Sequence, residues 1–224
     1  MAWFLNLFFP KRCIFCRGFL GKHEDFMCEK CQKNLPHATG KSVFVKGKFF
    51  DKTVSPFYYS DMVRSSILRY KFSNREFYCE KYGPMLAECI KKELDVDFDV
   101  ITSVVSSKMR RRKRGYDPAV SLAKQVANAL GIDYEKLIIK TRSTKPQSQI
   151  RDKAQRRANI AGSFKLSRGV DGLRVLVIDD IITTGATLEE CSKELMLGGA
   201  ARVCCATFAQ TDLRYKQKKG AKDI

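Results

Sequence analysis

Apolar positions follow two rhythms along the chain. Between residues 42 and 60 they are strand-like: Val43-Phe44-Val45 and Phe49-Phe50 flank Gly47, then Val54 and Phe57-Tyr58-Tyr59 follow, and a hairpin is expected there. Asp61 then caps a helix running through Met62, Ile67 and Leu68 to Tyr70. A second helix is expected from about Glu80 to Leu94, with Met85, Leu86, Cys89 and Ile90 on one face. From Phe98 onward strands and helices alternate. Residues 100–105, 136–139, 163–166, 174–178 and 203–208 read as strands. Residues 118–130, closed by Gly131, and 187–197, closed by Gly198-Gly199, read as helices. This alternation predicts an α/β domain with a mainly parallel sheet covered on both faces and a site at the carboxyl ends of its strands.

The ends of the chain read differently. The apolar opening from Met1 to Pro10 predicts an amphipathic helix stopped at Pro10, not a signal peptide, because Lys11-Arg12 follow it and no small-residue cleavage site appears. No apolar run approaches the roughly 20 residues of a membrane span, so no span and a cytoplasmic location are expected. The pattern divides the chain into residues 1–40 (opening helix and metal site), 41–97 (hairpin and helical hood or linker), 98–212 (the α/β domain) and a basic tail, 213–224.

Composition changes the picture through charge. Against 24 Asp and Glu stand 42 Lys and Arg, a formal charge of +18 over 224 residues. Hydrophobic residues at 44% and aromatic residues at 11% rule out a disordered polycation. Residues 108–114, Lys-Met-Arg-Arg-Arg-Lys-Arg, are basic at every position except Met109 and follow a strand. A second basic region spans 151–157. Such an excess exceeds what a small phosphate ligand needs and suits a polyanion, with Phe44, Phe49, Phe57, Tyr58 and Tyr116 as candidates for stacking bases.

Four of the nine cysteines form a pattern, Cys13-x-x-Cys16 and Cys28-x-x-Cys31. Two tight turns of this kind close a tetrahedron of thiolates around one structural Zn²⁺, leaving no open position for chemistry. The remaining five, Cys79, Cys89, Cys191, Cys204 and Cys205, lie in apolar stretches and read as small core residues. Gly40-Lys41-Ser42 is not a phosphate-binding P-loop, since Leu35 stands where that pattern needs glycine.

The most informative stretch is residues 174–187, Arg-Val-Leu-Val-Ile-Asp-Asp-Ile-Ile-Thr-Thr-Gly-Ala-Thr. A buried strand delivers Asp179 and Asp180 to the sheet edge, Ile181 and Ile182 are expected to turn the chain, and Thr183, Thr184, Gly185, Ala186 and Thr187 lead into a helix. Unpaired N–H groups at a helix start hold a phosphate, and the threonine hydroxyls add donors. Acceptor-only carboxylates one step upstream suit a vicinal diol or a hydrated Mg²⁺. Together they fit a sugar phosphate.

This stretch resembles the phosphoribosyl-pyrophosphate (PRPP) motif of type I phosphoribosyltransferases, and nearly the whole chain resembles the ComF family. The Cys-x-x-Cys pairs, the run from Arg110 to Arg114-Gly115-Tyr116, Thr144-Lys-Pro-Gln147, and Arg156-Arg-Ala-Asn159 followed by Gly162-Ser-Phe164 carry that resemblance. Ser103-Val104-Val105, Ser107 and Asp117-Pro118 depart from it. The resemblance implies a type I phosphoribosyltransferase-like parallel sheet with a small N-terminal zinc finger of four cysteines. It also implies PRPP with Mg²⁺ as ligand, Ser106, Ser107 and Lys108 as a pyrophosphate loop, and Lys145, Gln147, Arg151, Arg156 and Arg157 in a loop covering the substrate. Arg110, Arg111, Arg112, Lys113 and Arg114 become the candidate nucleic-acid contacts. Two functions are expected from this: a PRPP-binding protein of natural transformation that binds incoming single-stranded DNA beside a competence helicase, or a phosphoribosyltransferase of nucleotide metabolism or salvage acting on a free base or amine.

Overall fold

A computed structural model describes residues 10–38, 47–144, 150 and 152–211. The opening helix, the Val43–Val45 arm of the hairpin, Lys145, Gln147, Arg151 and the basic tail lie outside the described residues.

The centre is a parallel sheet. Strands β6 (Arg174–Ile182) and β7 (Arg202–Gln210) run side by side in register, and β3 (Val100–Ser103) pairs with the other edge of β6. On the far edge of β7, two short strands, β1 (Thr53–Val54) and β2 (Phe57–Tyr58), both pair parallel to it. Residues 53–58 therefore form one interrupted edge strand, while the first arm of the expected hairpin lies outside the described residues. Pro56, which has no N–H to give the ladder, stands at the break.

Period-two alternation distributes the strands' side chains between two cores. Ile101, Leu176, Ile178, Cys204, Ala206 and Phe208 face one side, against Tyr82, Leu86 and Ile90 of α3 (Cys79–Glu93) and Leu122 and Val126 of α5 (Pro118–Leu130). Val100, Val175, Val177, Val203 and Cys205 face the other, against Leu188, Cys191 and Leu195 of α7 (Ala186–Leu197). Burial on both faces is why these strands carry apolar runs. The helices α3 and α5 meet at Gly83, where a Cβ would sit 2.4 Å from Gln125 Cβ, so only glycine permits that approach.

Two expected strands do not join the sheet. β4 (Ile138–Lys140) and β5 (Phe164–Leu166) form a separate antiparallel pair, with Ile138 and Phe164 buried in the second core. The connection between them contains α6 (Lys153–Ile160), capped by the Asp152 carboxylate, which accepts the Gln155 N–H at 2.8 Å. The remaining helices are α1 (Glu29–Asn34), α2 (Asp61–Phe72) and α4 (Lys108–Arg114). Among the described residues no helix is long and apolar enough to cross a membrane.

The four patterned cysteines converge. A tight turn held by the Cys13 N–H to Gly18 O bond carries Cys13 and Cys16, while Cys28 and Cys31 sit at the start of α1. Their sulfurs all lie within 4.8 Å of one another, close to the spacing of about 3.8 Å that a tetrahedral Zn–S site requires. Burial alone would raise the Cys13 thiol, yet the N–H groups of Cys16, Cys28 and Phe15 and the Cys31 side chain bring it down to about 7. The donor set fits a structural zinc. Between the first two cysteines, Ile14 and Phe15 are buried in the main core, and Phe15 packs edge-on to Phe57 with ring centroids 6.3 Å apart. Arg69 of α2 donates to Ile14 O at 2.7 Å and to Phe15 O at 2.6 Å. Ser66 donates to Ile14 O as well.

Candidate functional site

The carboxyl ends of β3 and β6 open into a cleft of about 1080 Å³. β6 does not end at Ile178: Ile181 and Ile182 still pair with Ala209 and Gln210 of β7, so the strand carries both aspartates within its ladder. The turn falls instead at Thr183-Thr184-Gly185. Gly185 has φ +77°, with nothing nearer to an added Cβ than Ile182 Cδ1 at 3.8 Å. Its backbone conformation, more than close contact, therefore calls for glycine. The first bond of α7 runs from Glu189 N–H to Gly185 O at 2.8 Å, so the amides just before it have no acceptor within the helix. Gly185, Ala186, Thr187 and Leu188 all line the cleft.

The two acids sit in different surroundings. Asp179 accepts the Asp180 N–H at 2.8 Å. Burial, and then the charge of Asp180, push its carboxyl up to about 8. Asp180 is paired with Lys71 of α2, Nζ to Oδ1 2.8 Å, both side chains mostly buried. Carboxylates are the donor set a divalent cation prefers, and here an ammonium from α2 already balances one of them. Lys71→Met should cost about 2 kcal/mol of stability, because it strands a mostly buried carboxylate. Urea unfolding checks this, and an unchanged midpoint would show that the pair is merely surface chemistry.

Across the cleft from the 183–187 turn, Ser106 is fixed from three directions. Its N–H donates to Asp117 Oδ2 at 2.7 Å, its hydroxyl to Asp117 Oδ1 at 3.2 Å, and its carbonyl accepts from Arg111 at 2.6 Å. Asp117 is buried, which raises its carboxyl despite these bonds. Ser107 caps α4 by accepting the Arg110 N–H at 3.4 Å, and Lys108 begins that helix. The basic run is thus a helix of about two turns, ending at Gly115, φ +82°.

Of the residues singled out by sequence, the cleft gathers Asp179, Asp180 and 183–187, then Ser106, Arg110, Lys113, Arg114 and Arg156. Arg110 donates to Thr144 O at 2.8 Å, and Arg156 donates to the Thr183 hydroxyl at 3.1 Å, which ties α6 to the 183–187 turn. Ser107, Lys108, Arg111, Arg112 and Arg157 are not among the lining side chains. Lys145, Gln147 and Arg151 lie outside the described residues. Two lining cations escaped the sequence reading. Lys71 has no motif around it and reaches the site only because α2 folds over the sheet edge. Lys140 ends β4 with its ammonium 4.8 Å from the Phe164 ring centroid, and burial followed by Arg110 lowers it to about 8.

Comparison with known proteins matches two separate stretches of the chain. A model described as the phosphoribosyl transferase domain matches residues 114–224, and one described as the double zinc ribbon domain matches residues 4–51. The latter span contains only four cysteines, a single ligand set. Competence protein F of Haemophilus influenzae is 27% identical over 220 residues, covering 88% of this chain and 95% of that protein. DNA utilization protein YhgH of Salmonella typhi is 32% identical over 106 residues, 47% of this chain and 46% of that protein, so this match spans about half of each. A structure of glutamine phosphoribosylpyrophosphate (PRPP) amidotransferase from B. subtilis, complexed with ADP and GMP, superposes with a TM-score of 0.42 at 28% identity, over 62% of this chain and 30% of that one.

Proposed function

The chain belongs to the ComF family, proteins with a phosphoribosyltransferase fold and an N-terminal zinc ribbon, and from that premise we propose that it binds PRPP and handles incoming single-stranded DNA during natural transformation. The observation that carries this reading is the convergence of Asp179, Asp180 and the 183–187 turn with Arg110, Lys113, Arg114 and Arg156 in one cleft. In it, the start of α7 takes the 5-phosphate, Asp179 and Asp180 take the ribose diol, and Ser106 with the facing cations takes the pyrophosphate. A divalent cation accompanying PRPP neutralises pyrophosphate charge when bound, and the two aspartates are the residues to hold it. Lys71 then exchanges its partner Asp180 for the arriving ligand.

The remaining charge supports the strand half of the reading. PRPP needs few cations, while α4 presents Lys108, Arg112 and Lys113 to solvent. An enzyme of nucleotide salvage acting on a free base would need neither this helix nor a zinc ribbon. Replacing Arg110, Arg111, Arg112, Lys113 and Arg114 by glutamine is expected to weaken single-stranded DNA binding at moderate salt and to flatten the dependence of log K on log salt. Fluorescence anisotropy over a salt series reads both. Unchanged affinity and slope would reduce the run to a solvated face and favour the salvage transferase, to be pursued by screening acceptor bases.

A further inference from the structure

We propose that the mouth of the cleft is a stacking platform for one base of a single-stranded nucleic acid, built from Phe72 at the end of α2 and Met109 on α4, with Arg114 and Lys113 placed for the flanking phosphates. This rests on the reading that the cleft holds PRPP and α4 holds a strand, and it says where the strand enters. Phe72 is 65% exposed and Met109 is 69% exposed, although both are large and apolar. They come from different elements yet line the same cleft. Two residues before Phe72, Tyr70 is fully buried, so α2 commits its other aromatic to the core and leaves this one in water.

PRPP gives neither side chain anything to do. It is a sugar carrying phosphates, with no aromatic ring to stack on a phenyl group, and its polar groups are matched deeper in the cleft. A nucleic-acid base, by contrast, has a π-face of any sequence, and its neighbours bring phosphates. The mouth is charged accordingly. Arg114 holds its guanidinium 4.7 Å from the Phe72 ring centroid, and α4 contains no acidic residue. The aromatic residues that sequence alone offered for stacking serve less well: Phe57 and Tyr116 are buried, and Phe44 lies outside the described residues.

The test uses the zinc-loaded full chain and an oligothymidylate carrying one 2-aminopurine, whose fluorescence falls when the base stacks. Wild type should bind and quench the probe. Phe72→Ala should bind about tenfold more weakly and lose the quenching, with the salt slope unchanged because no charge is lost. Phe72→Trp should restore both, and equal melting temperatures verify that the exposed position does not support the fold. Binding and quenching that ignore Phe72→Ala would overturn this inference alone. Absence of strand binding by wild type would overturn it together with the strand half of the proposed function, leaving the PRPP half standing. Saturable quenching by the free 2-aminopurine nucleoside without strand binding would reassign the platform to a small acceptor and overturn the proposal with it.

Discussion

Replacing Asp179 and Asp180 together by alanine is expected to weaken PRPP binding by a factor on the order of 100 or more, with the fold intact. Each carboxylate offers charge-assisted hydrogen bonds worth about 1.5–3 kcal/mol, and both are aimed at the same part of the ligand. The fold survives because the β6–β7 ladder is made by backbone groups and both side chains sit at the open end of the sheet. Lys71, deprived of Asp180, sits on the cleft wall and can turn toward water. Isothermal calorimetry measures the loss, and circular dichroism verifies the fold. A double variant that keeps its affinity would remove the aspartates from the site. The pH dependence carries a second signature. Burial and Asp180 raise Asp179 to about 8. Its native pKa thus lies above the unfolded value, so this group stabilises the free fold least when ionised, and its contribution falls as pH rises from about 4 to 8. A cation arriving with PRPP favours the ionised form, so affinity in the wild type should grow from pH 6 to pH 8 and that growth should vanish in Asp179→Asn.

Removing zinc is expected to damage far more than the ribbon. Ile14 and Phe15 lie between the first two ligands and are part of the main core, and their carbonyls are the acceptors for Arg69 and Ser66 of α2. The same helix delivers Lys71 to Asp180, two residues beyond Arg69. Structural zinc in small ribbons contributes about 10 kcal/mol or more of folding free energy. Even a fraction of that, withdrawn from the shared core, should lower the melting temperature by about 10 °C or more. PRPP affinity should drop several-fold as α2 loses its seat, and zinc should restore both. Chelation followed by calorimetry and re-addition of zinc measures this. A main thermal transition indifferent to chelation would mean that the ribbon is an independent appendage.

What the chain's sequence reveals depends on how local the cause is. The four-cysteine set and α5 between Pro118 and Gly131 are specified by residues close together, and each stands where its pattern put it, whereas the turn after Asp180 falls later than Ile181 and Ile182 because both still pair with β7. β4 and β5 are short apolar runs whose pattern cannot say whether they join a parallel sheet or pair with each other. That choice follows from packing of Ile138 and Phe164 into the second core. The basic run conceals a helix because like charges along a turn argue against one. It forms between a capping Ser107 and a glycine stop, with Arg110 and Arg111 bonded to Thr144 and Ser106 carbonyls. Lys71, Lys140 and Phe72 are wholly tertiary findings. No spacing connects them to the aspartates, and only the folding of α2 and β4 over the sheet edge brings them there.

The central claim is that one cleft binds PRPP and communicates with a bound strand. The most direct measurement is a calorimetric titration of the zinc-loaded chain with PRPP and Mg²⁺, alone and again with a short single-stranded oligonucleotide present. Saturable PRPP binding is expected, with an affinity or heat that shifts when the oligonucleotide is bound, because both ligands meet the cations of α4. No PRPP binding would contradict the assignment of the cleft itself. PRPP binding that the oligonucleotide leaves untouched would contradict its sharing with the strand.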